Sequence, residues 1–286
     1  MTSICRNHIW LLPSTHEDSI MSHLRGIAAT AGMTLQDRRG ERQEQPPPPD
    51  GELVVVDHPA AVGGLDPHQW IIVHTRSFED SVEAMMAAAT TFRPREVVSK
   101  LSKWLGFANY LTLHGAAPVD DLSMVVNAVM GAEPAVSHAK DDRGTHALSH
   151  YASLPVAANA TATWTPDIFS YTLGQEREGG SPEIDLTGRG RILVYGPDIT
   201  LTSGEWKIEA EFDFLVFNDV VDLRFDWGHA EDTTTDFYKI EKAGRYKIEI
   251  TRSWLTNQTA ELRLWVQHGM LHGHIHFLGA VISRIA

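Results

Sequence analysis

The hydrophobic residues of this chain change period part-way along, and that change restricts the fold more than any single motif. Up to about residue 131, apolar side chains recur at helical spacing between short apolar runs. From about residue 183 they alternate one in two. In the first region, Ile20, Leu24, Ile27, Ala28 and Ala31 share a helical face, with Ser14 and Glu17 at capping-box spacing ahead of them. Further stripes are Val82, Met85, Met86 and Ala89; then Val97, Leu101 and Trp104; then Leu122, Val125, Val126 and Val129. The apolar runs at 9–12, 53–56, 70–73 and 110–113 read as strands between them. Strands alternating with helices predict a parallel sheet covered on both faces.

In the second region, Trp206, Ile208, Ala210, Phe212 and Phe214 point one way, and Lys207, Glu209, Glu211 and Asp213 the other. Val221, Leu223, Phe225 and Trp227 repeat the pattern, as do Tyr246, Ile248 and Ile250. Such half-buried strands, with Gly, Asn, Asp and Ser in the turns, predict an antiparallel β-sandwich or jelly roll. Residues 132–182, rich in Ala, Ser, Thr, Gly and Pro, read as linker and lead-in, with Trp164 and Phe169 packing on the strands of the second region. The expected organisation is therefore 1–131, an α/β domain; 132–182, a linker; and 183–286, a β-sandwich.

Composition removes several classes of function. A net charge of −13 with no basic stripe argues against nucleic acid. No apolar run reaches the ~18–20 residues that span a bilayer. The start, MTSICRNHIWLLPS, lacks the pattern of a secretory leader, and a cytoplasmic location is expected. Cys5 is the only cysteine, so neither an internal disulfide nor a thiolate metal cluster is expected. The segment 45–50, QPPPPD, reads as a stiff exposed loop. No nucleophile elbow, phosphate-binding glycine loop or paired-histidine zinc motif is present, and no cofactor is expected.

The run ELVVVD, residues 52–57, ends an apolar strand in an aspartate. Together with HIWLLPSTHEDSIMSHLRGIAATAGM, WIIVHTR and YLTLHGAAPVDDLSMVVNAVM, it resembles a response-regulator receiver domain of the flavodoxin-like class over residues 7–131. The resemblance implies Asp57 as the phosphoacceptor and Thr75 as its hydroxyl partner. The chain departs from that pattern where a receiver needs acids for Mg²⁺. After the first strand it has Leu12-Pro13-Ser14-Thr15, and one aspartate cannot organise an octahedral magnesium. Leu113 or His114 stands where the resemblance implies a lysine. The region reads as a pseudo-receiver in which Asp57 caps the loop C-terminal to it. If the chain is instead an enzyme, Asp57, His58, Thr75 and His114 are its candidate catalytic residues, because open α/β sheets bind ligands at the carboxyl ends of their strands.

The segment HGMLHGHIHF, residues 268–277, is the densest in histidine. Joined to ELRLWVQ by a two-residue turn at Gly269-Met270, it forms a hairpin in which Val266, Leu264 and Leu262 lie beside Gly273, Ile275 and Phe277. That register groups Trp265, Arg263, Glu261, His272, His274 and His276 on one outward face, a ring framed by polar groups that suits either a sugar or a protein interface. A His-x-His-x-His strand also offers imidazoles to Zn²⁺ or Ni²⁺. The loop DWGHAEDTTTDFY offers Asp226, His229, Glu231, Asp232 and Asp236 as oxygen and imidazole donors for Ca²⁺, although the spacing is not that of an EF-hand and such loops are acidic by default. Asp213, Asp226 and Asp236 are the acids a paired-carboxylate hydrolase could draw on.

DLTGRGRILVYGPDITLTSGEW, FDWG, KAGRYKIEI and the closing ELRLWVQHGMLHGHIHFLGAVISRIA resemble a β-sandwich module attached to alphaproteobacterial polysaccharide-biosynthesis glycosyltransferases, over residues 183–286. The expected fold is thus two domains, an α/β flavodoxin-like parallel sheet followed by an antiparallel, jelly-roll-like β-sandwich of glycan-binding type. The expected function is non-catalytic: coupling a glycan, or the machinery that makes one, to a protein partner. A glycan-active enzyme and a structural homo-oligomer built on the Trp265 face are the alternatives.

Overall fold

The computed structural model describes residues 6–41, 50–58, 66–73, 78–88, 93–119, 122, 125, 129, 147–172, 182–216 and 220–285. The chain forms two compact units: 1–93 with 104–142 and 151–156, and 94–103 with 143–150 and 157–286.

The first unit holds β1 (His8–Leu11), α1 (Glu17–Thr30), β2 (Thr34–Asp37), β3 (Glu52–Val56), β4 (Trp70–Val73), α2 (Phe78–Ala88), the C-terminal half of α3 (Pro94–Leu113) and β5 (Ala117–Val119). All five strands run parallel, in the order β2-β3-β1-β4-β5. The parallel sheet was legible. Its order was not, because a flavodoxin-like sheet runs 2-1-3-4-5. Strand composition places β2 at the edge in either order, and the equally apolar, buried β1 and β3 do not distinguish which of them lies beside it. TLQD of β2 is polar and only half-buried, which suits an edge, whereas Leu53–Val56 of ELVVV are buried and belong inside.

One face of this sheet buries Ile9, Leu11, Leu53, Val55, Ile71 and Val73 against Ile20, Met21, Leu24, Ile27 and Ala28 of α1, with Val125 and Val129. The other face buries His8, Trp10, Trp70 and Ile72, and Phe107 of α3 meets the Trp10 ring at 5.0 Å. His8 stacks on Trp70 at 4.7 Å. Burial, assisted by the charge of Arg38, pushes the His8 imidazole down to about 4.

Two local expectations need correction. Residues 110–113 are not a strand but the end of α3, whose buried Val97, Leu101, Leu105, Ala108 and Leu111 recur every three or four residues. A four-residue apolar run fits either period, and the fifth strand is Ala117–Val119. Ser14 is not the cap of α1: His16 holds that place, and Ser14 Oγ accepts from its N–H at 3.1 Å.

The second unit is a β-sandwich of two five-stranded antiparallel sheets, and it begins earlier than residue 183. Sheet I is β13 (Gly244–Trp254), β10 (Gly204–Leu215), β15 (His274–Arg284) and β6 (Thr161–Trp164), with β8 (Glu183–Asp185) also on β15. Sheet II is β12 (Asp232–Ile240), β11 (Val221–His229), β14 (Gln258–Val266), β9 (Arg191–Leu201) and β7 (Ser170–Tyr171). Residues 161–171 therefore belong to the sandwich and not to a linker. Trp164 is fully buried, and Phe169 meets Phe277 edge-on at 4.7 Å. Across the core, Phe212 of sheet I contacts Phe225 of sheet II at 5.4 Å. The inward positions are those the alternation marks, Trp206 to Phe214 on β10 and Val221 to Trp227 on β11. At the first turns of α3, Arg95 pairs with Asp198 at 2.9 Å and lies over the Tyr195 ring, while Ser102 Oγ accepts from Thr200 N–H at 2.8 Å.

Candidate functional site

The expected hairpin of β14 and β15 does not form. β14 pairs with β11 and β9 in sheet II, and β15 with β10, β6 and β8 in sheet I. Gly269-Met270 makes no tight turn; Met270 instead exchanges two 2.9 Å backbone hydrogen bonds with Gly188. The burial pattern is nonetheless the expected one, with Leu262, Leu264, Val266, Ile275 and Phe277 all in the core. Strands that face each other across a sandwich satisfy that pattern as well as strands that lie side by side. The consequence is that the expected surface patch comes apart.

His274 and His276 lie on the outside of sheet I. His276 stands between Asp213 and Glu183 in register, and Glu183 lies 3.3 Å from His274 and 3.9 Å from His276. His272 is an exposed loop residue. Trp265, Arg263 and Glu261 lie on the outside of sheet II. Arg263 donates twice to Glu261, at 2.6 and 2.8 Å, and once to the Ala230 carbonyl at 2.7 Å.

The centre of this second face is Asp226, 1% exposed. One of its oxygens accepts from Arg224 Nε at 2.7 Å and from the Thr235 hydroxyl at 2.6 Å; the other accepts from Trp265 Nε1 at 3.0 Å. Asp226 is therefore a clamp for an aromatic ring and a guanidinium. The Arg224 guanidinium in turn lies over the Trp265 ring, 5.8 Å from its centre. Strand register places four side chains in one line across sheet II: Phe237 on β12, Arg224 on β11, Trp265 on β14 and Ile192 on β9. Phe237 is 68% exposed. Two strand spacings separate it from Trp265, roughly 10 Å. Arg224 and Phe237 were missed from the sequence. The signal for Arg224 was a cation at outward parity on a strand whose inward parity is plain. Phe237 lies in DWGHAEDTTTDFY, read as a loop but formed by the end of β11, a turn at Ala230 and β12, whose inward positions are mostly polar.

The other candidates do not converge. Asp57 Oδ1 accepts from the Gly40 N–H at 2.8 Å, so it caps the loop after β2; the loop C-terminal to it, residues 59–65, lies outside the described residues. His58 comes next at the carboxyl end of β3. Thr75 lies outside the described residues. His114 lies between α3 and β5, which places it at the amino edge of the parallel sheet, opposite to Asp57; its Nδ1 contacts the Tyr110 carbonyl oxygen at 2.8 Å. The catalytic set read from strand ends is thereby divided between two edges. Asp232 pairs with Arg252 at 2.5 Å, Asp236 takes inward parity opposite Phe225, and His229 and Glu231 are exposed around the turn at Ala230. Among the described residues no group of three or more His, Cys, Asp or Glu is placed to hold a metal ion. Likewise, no helix among them is long and apolar enough to cross a membrane.

No family model matches the chain, and no curated protein does. Neither of the two family resemblances is supported by such a match. Solved structures similar to parts of it include the CBM22-1 xylan-binding domain from Paenibacillus barcinonensis Xyn10C, at 12% identity, 43% of this chain, 90% of that one and TM-score 0.27. Another is the C-terminal CBM6 of LamC, a marine laminarinase from Zobellia galactanivorans, at 15% identity, 43% and 98% coverage and TM-score 0.30. A third, the Glycosylation Associate Protein (Gap123) complex from Streptococcus agalactiae, covers 87% of this chain and 49% of its own, at 9% identity and TM-score 0.31. At identities and scores this low, the likeness assigns no function to this chain.

Proposed function

We propose that the chain is a glycan-binding protein whose site is the outer face of sheet II. The row Phe237–Arg224–Trp265 carries this reading. Sugar rings present C–H faces that stack on aromatic rings, and hydroxyls that bond to flanking polar groups. Two rings about 10 Å apart on one sheet face match successive stacking positions along a saccharide. Arg224, tied to Asp226 through Nε, stands between Phe237 and Trp265 in register with its guanidinium over the Trp265 ring, and its η nitrogens make no hydrogen bond among the described residues. Nothing in the row is a paired acid, a nucleophile or a metal set, so binding and not turnover is the chemistry it supports.

The test is calorimetric titration of the full chain with soluble polysaccharides. Wild type binds at least one, Trp265→Ala binds none, and Phe237→Ala weakens binding about tenfold, roughly 1.4 kcal/mol. Phe237 is exposed, so its truncation leaves the fold intact and separates lost binding from lost structure. Equal affinity of Phe237→Ala and wild type would remove the row as the site. If Trp265→Ala instead changes the molar mass of the free protein, the face is an interface between copies.

A further inference from the structure

The same face also restricts the kind of glycan, an inference that rests on the glycan-binding proposal. Asp226, Glu261 and Asp222 stand on it, and each is closed by a base of the same face. Asp226 is bound by Arg224 at 2.7 Å, Glu261 by Arg263 at 2.6 Å, and Asp222 by Lys239 at 3.4 Å. Surface pairs of this kind add little stability. Their effect here is on the field: each of these acids lies within one ion-pair distance of a base, and a ligand on the row meets no unbalanced sign. A face built to hold an acidic polymer needs the opposite, a cation whose charge is left for the ligand. Arg224 is not such a cation, because the carboxylate beneath it is 1% exposed and cannot move away.

The length of the row is fixed as well. It begins at Phe237 on the edge strand β12 and ends at Ile192 on β9. Three strand spacings span it, about 14 Å. Phe237 and Trp265 provide the two stacking faces, and the η nitrogens of Arg224 donate to hydroxyl oxygens between them.

We infer that the ligand is a neutral, unbranched saccharide lying across the strands of sheet II, with about three sugar units in contact. Two features support this occupant: the closure of charge, and the match of an aromatic–donor–aromatic line to a linear chain.

The experiment titrates the full chain with linear oligomers of glucose, xylose and galactose of increasing length, and with oligogalacturonate as the acidic counterpart. Each titration is run at low and at high ionic strength. The expected result is a rise in affinity of about tenfold from two to three units and no further gain beyond four. Affinity for the neutral oligomer changes less than about twofold between ~0.01 and ~1 M salt. A preference for oligogalacturonate that fades with salt overturns the neutral ligand and leaves the glycan reading standing. Affinity that keeps climbing past five units overturns the three-unit row. Absence of binding to every oligomer, with the protein folded, overturns the glycan reading and this inference with it.

Discussion

The two units each hold an aspartate by side-chain donors, and the donors make the difference. At the carboxyl end of β1, Asp80 accepts from the Ser14 hydroxyl at 2.6 Å, from the Thr15 hydroxyl, and from the Thr15 N–H at 3.3 Å. Burial acts to raise the Asp80 carboxyl, but these hydrogen bonds together hold it below its ordinary value. Nearby, Arg39 is bound by Asp37 at 2.7 Å and by Glu17 at 2.9 Å. A short hydroxyl side chain commits its single donor to such a bond and brings no ring face with it. In sheet II, Asp226 is held by the indole N–H of Trp265 and by Nε of Arg224, and both side chains stay half-exposed. One arrangement ties the end of β1 to α2; the other holds an indole and a guanidinium in place on a sheet face.

Removing each aspartate tests that contrast most directly. Asp226→Ala orphans a buried indole N–H and frees Trp265 and Arg224, so it costs about 3 kcal/mol of stability and abolishes glycan binding; unfolding midpoints and calorimetry read the two effects. Retained binding in Asp226→Ala would mean that the clamp does not set the row.

The buried face of the first unit supplies the next effect. The native His8 imidazole stays neutral down to about 4, whereas the unfolded chain protonates near 6.5. The unfolded state therefore binds the proton first, and stability falls as pH drops from about 6.5 to 4, by up to about 3 kcal/mol. Denaturant midpoints at the two ends of that window, for wild type and His8→Leu, check it: the variant loses this part of the slope. The smallest effect belongs to Asp80→Ala, about 1 kcal/mol with glycan affinity unchanged. Loss of glycan affinity in that variant would show that the binding site is not confined to the face that Asp226 organises.

How far the sequence could be read depends on the same chemistry. Inward and outward positions on β10, β11 and β13 were legible, since alternation records which side chains leave water. Partner choice was not. Leu262, Leu264 and Val266 reach Ile275 and Phe277 equally well from beside or from across, so a correct burial pattern yielded a hairpin that does not exist. Trp265 was found because an outward indole is conspicuous. Its neighbours Arg224 and Phe237 come from β11 and β12, and only the register of three strands sets them in line. In the first unit the apolar run of β3 was clear and Asp57 read as a loop cap, but its partner Gly40, 17 residues earlier, could not be read from the sequence.

The clamp on Trp265 also separates two tasks that binding proteins often combine. Because Nε1 is tied to a buried carboxylate, the indole takes its orientation when the chain folds and has little motion left to lose when a ligand arrives, a loss that elsewhere costs about 0.5–1.5 kcal/mol per side chain. Phe237, by contrast, sits on the edge strand with most of its surface in solvent. Exchanging it for Tyr, Trp or Leu touches neither the core nor the clamp. Selectivity on such a surface can therefore drift at the rim while the anchor stays fixed, and a designer who wants a new ligand should begin at residue 237.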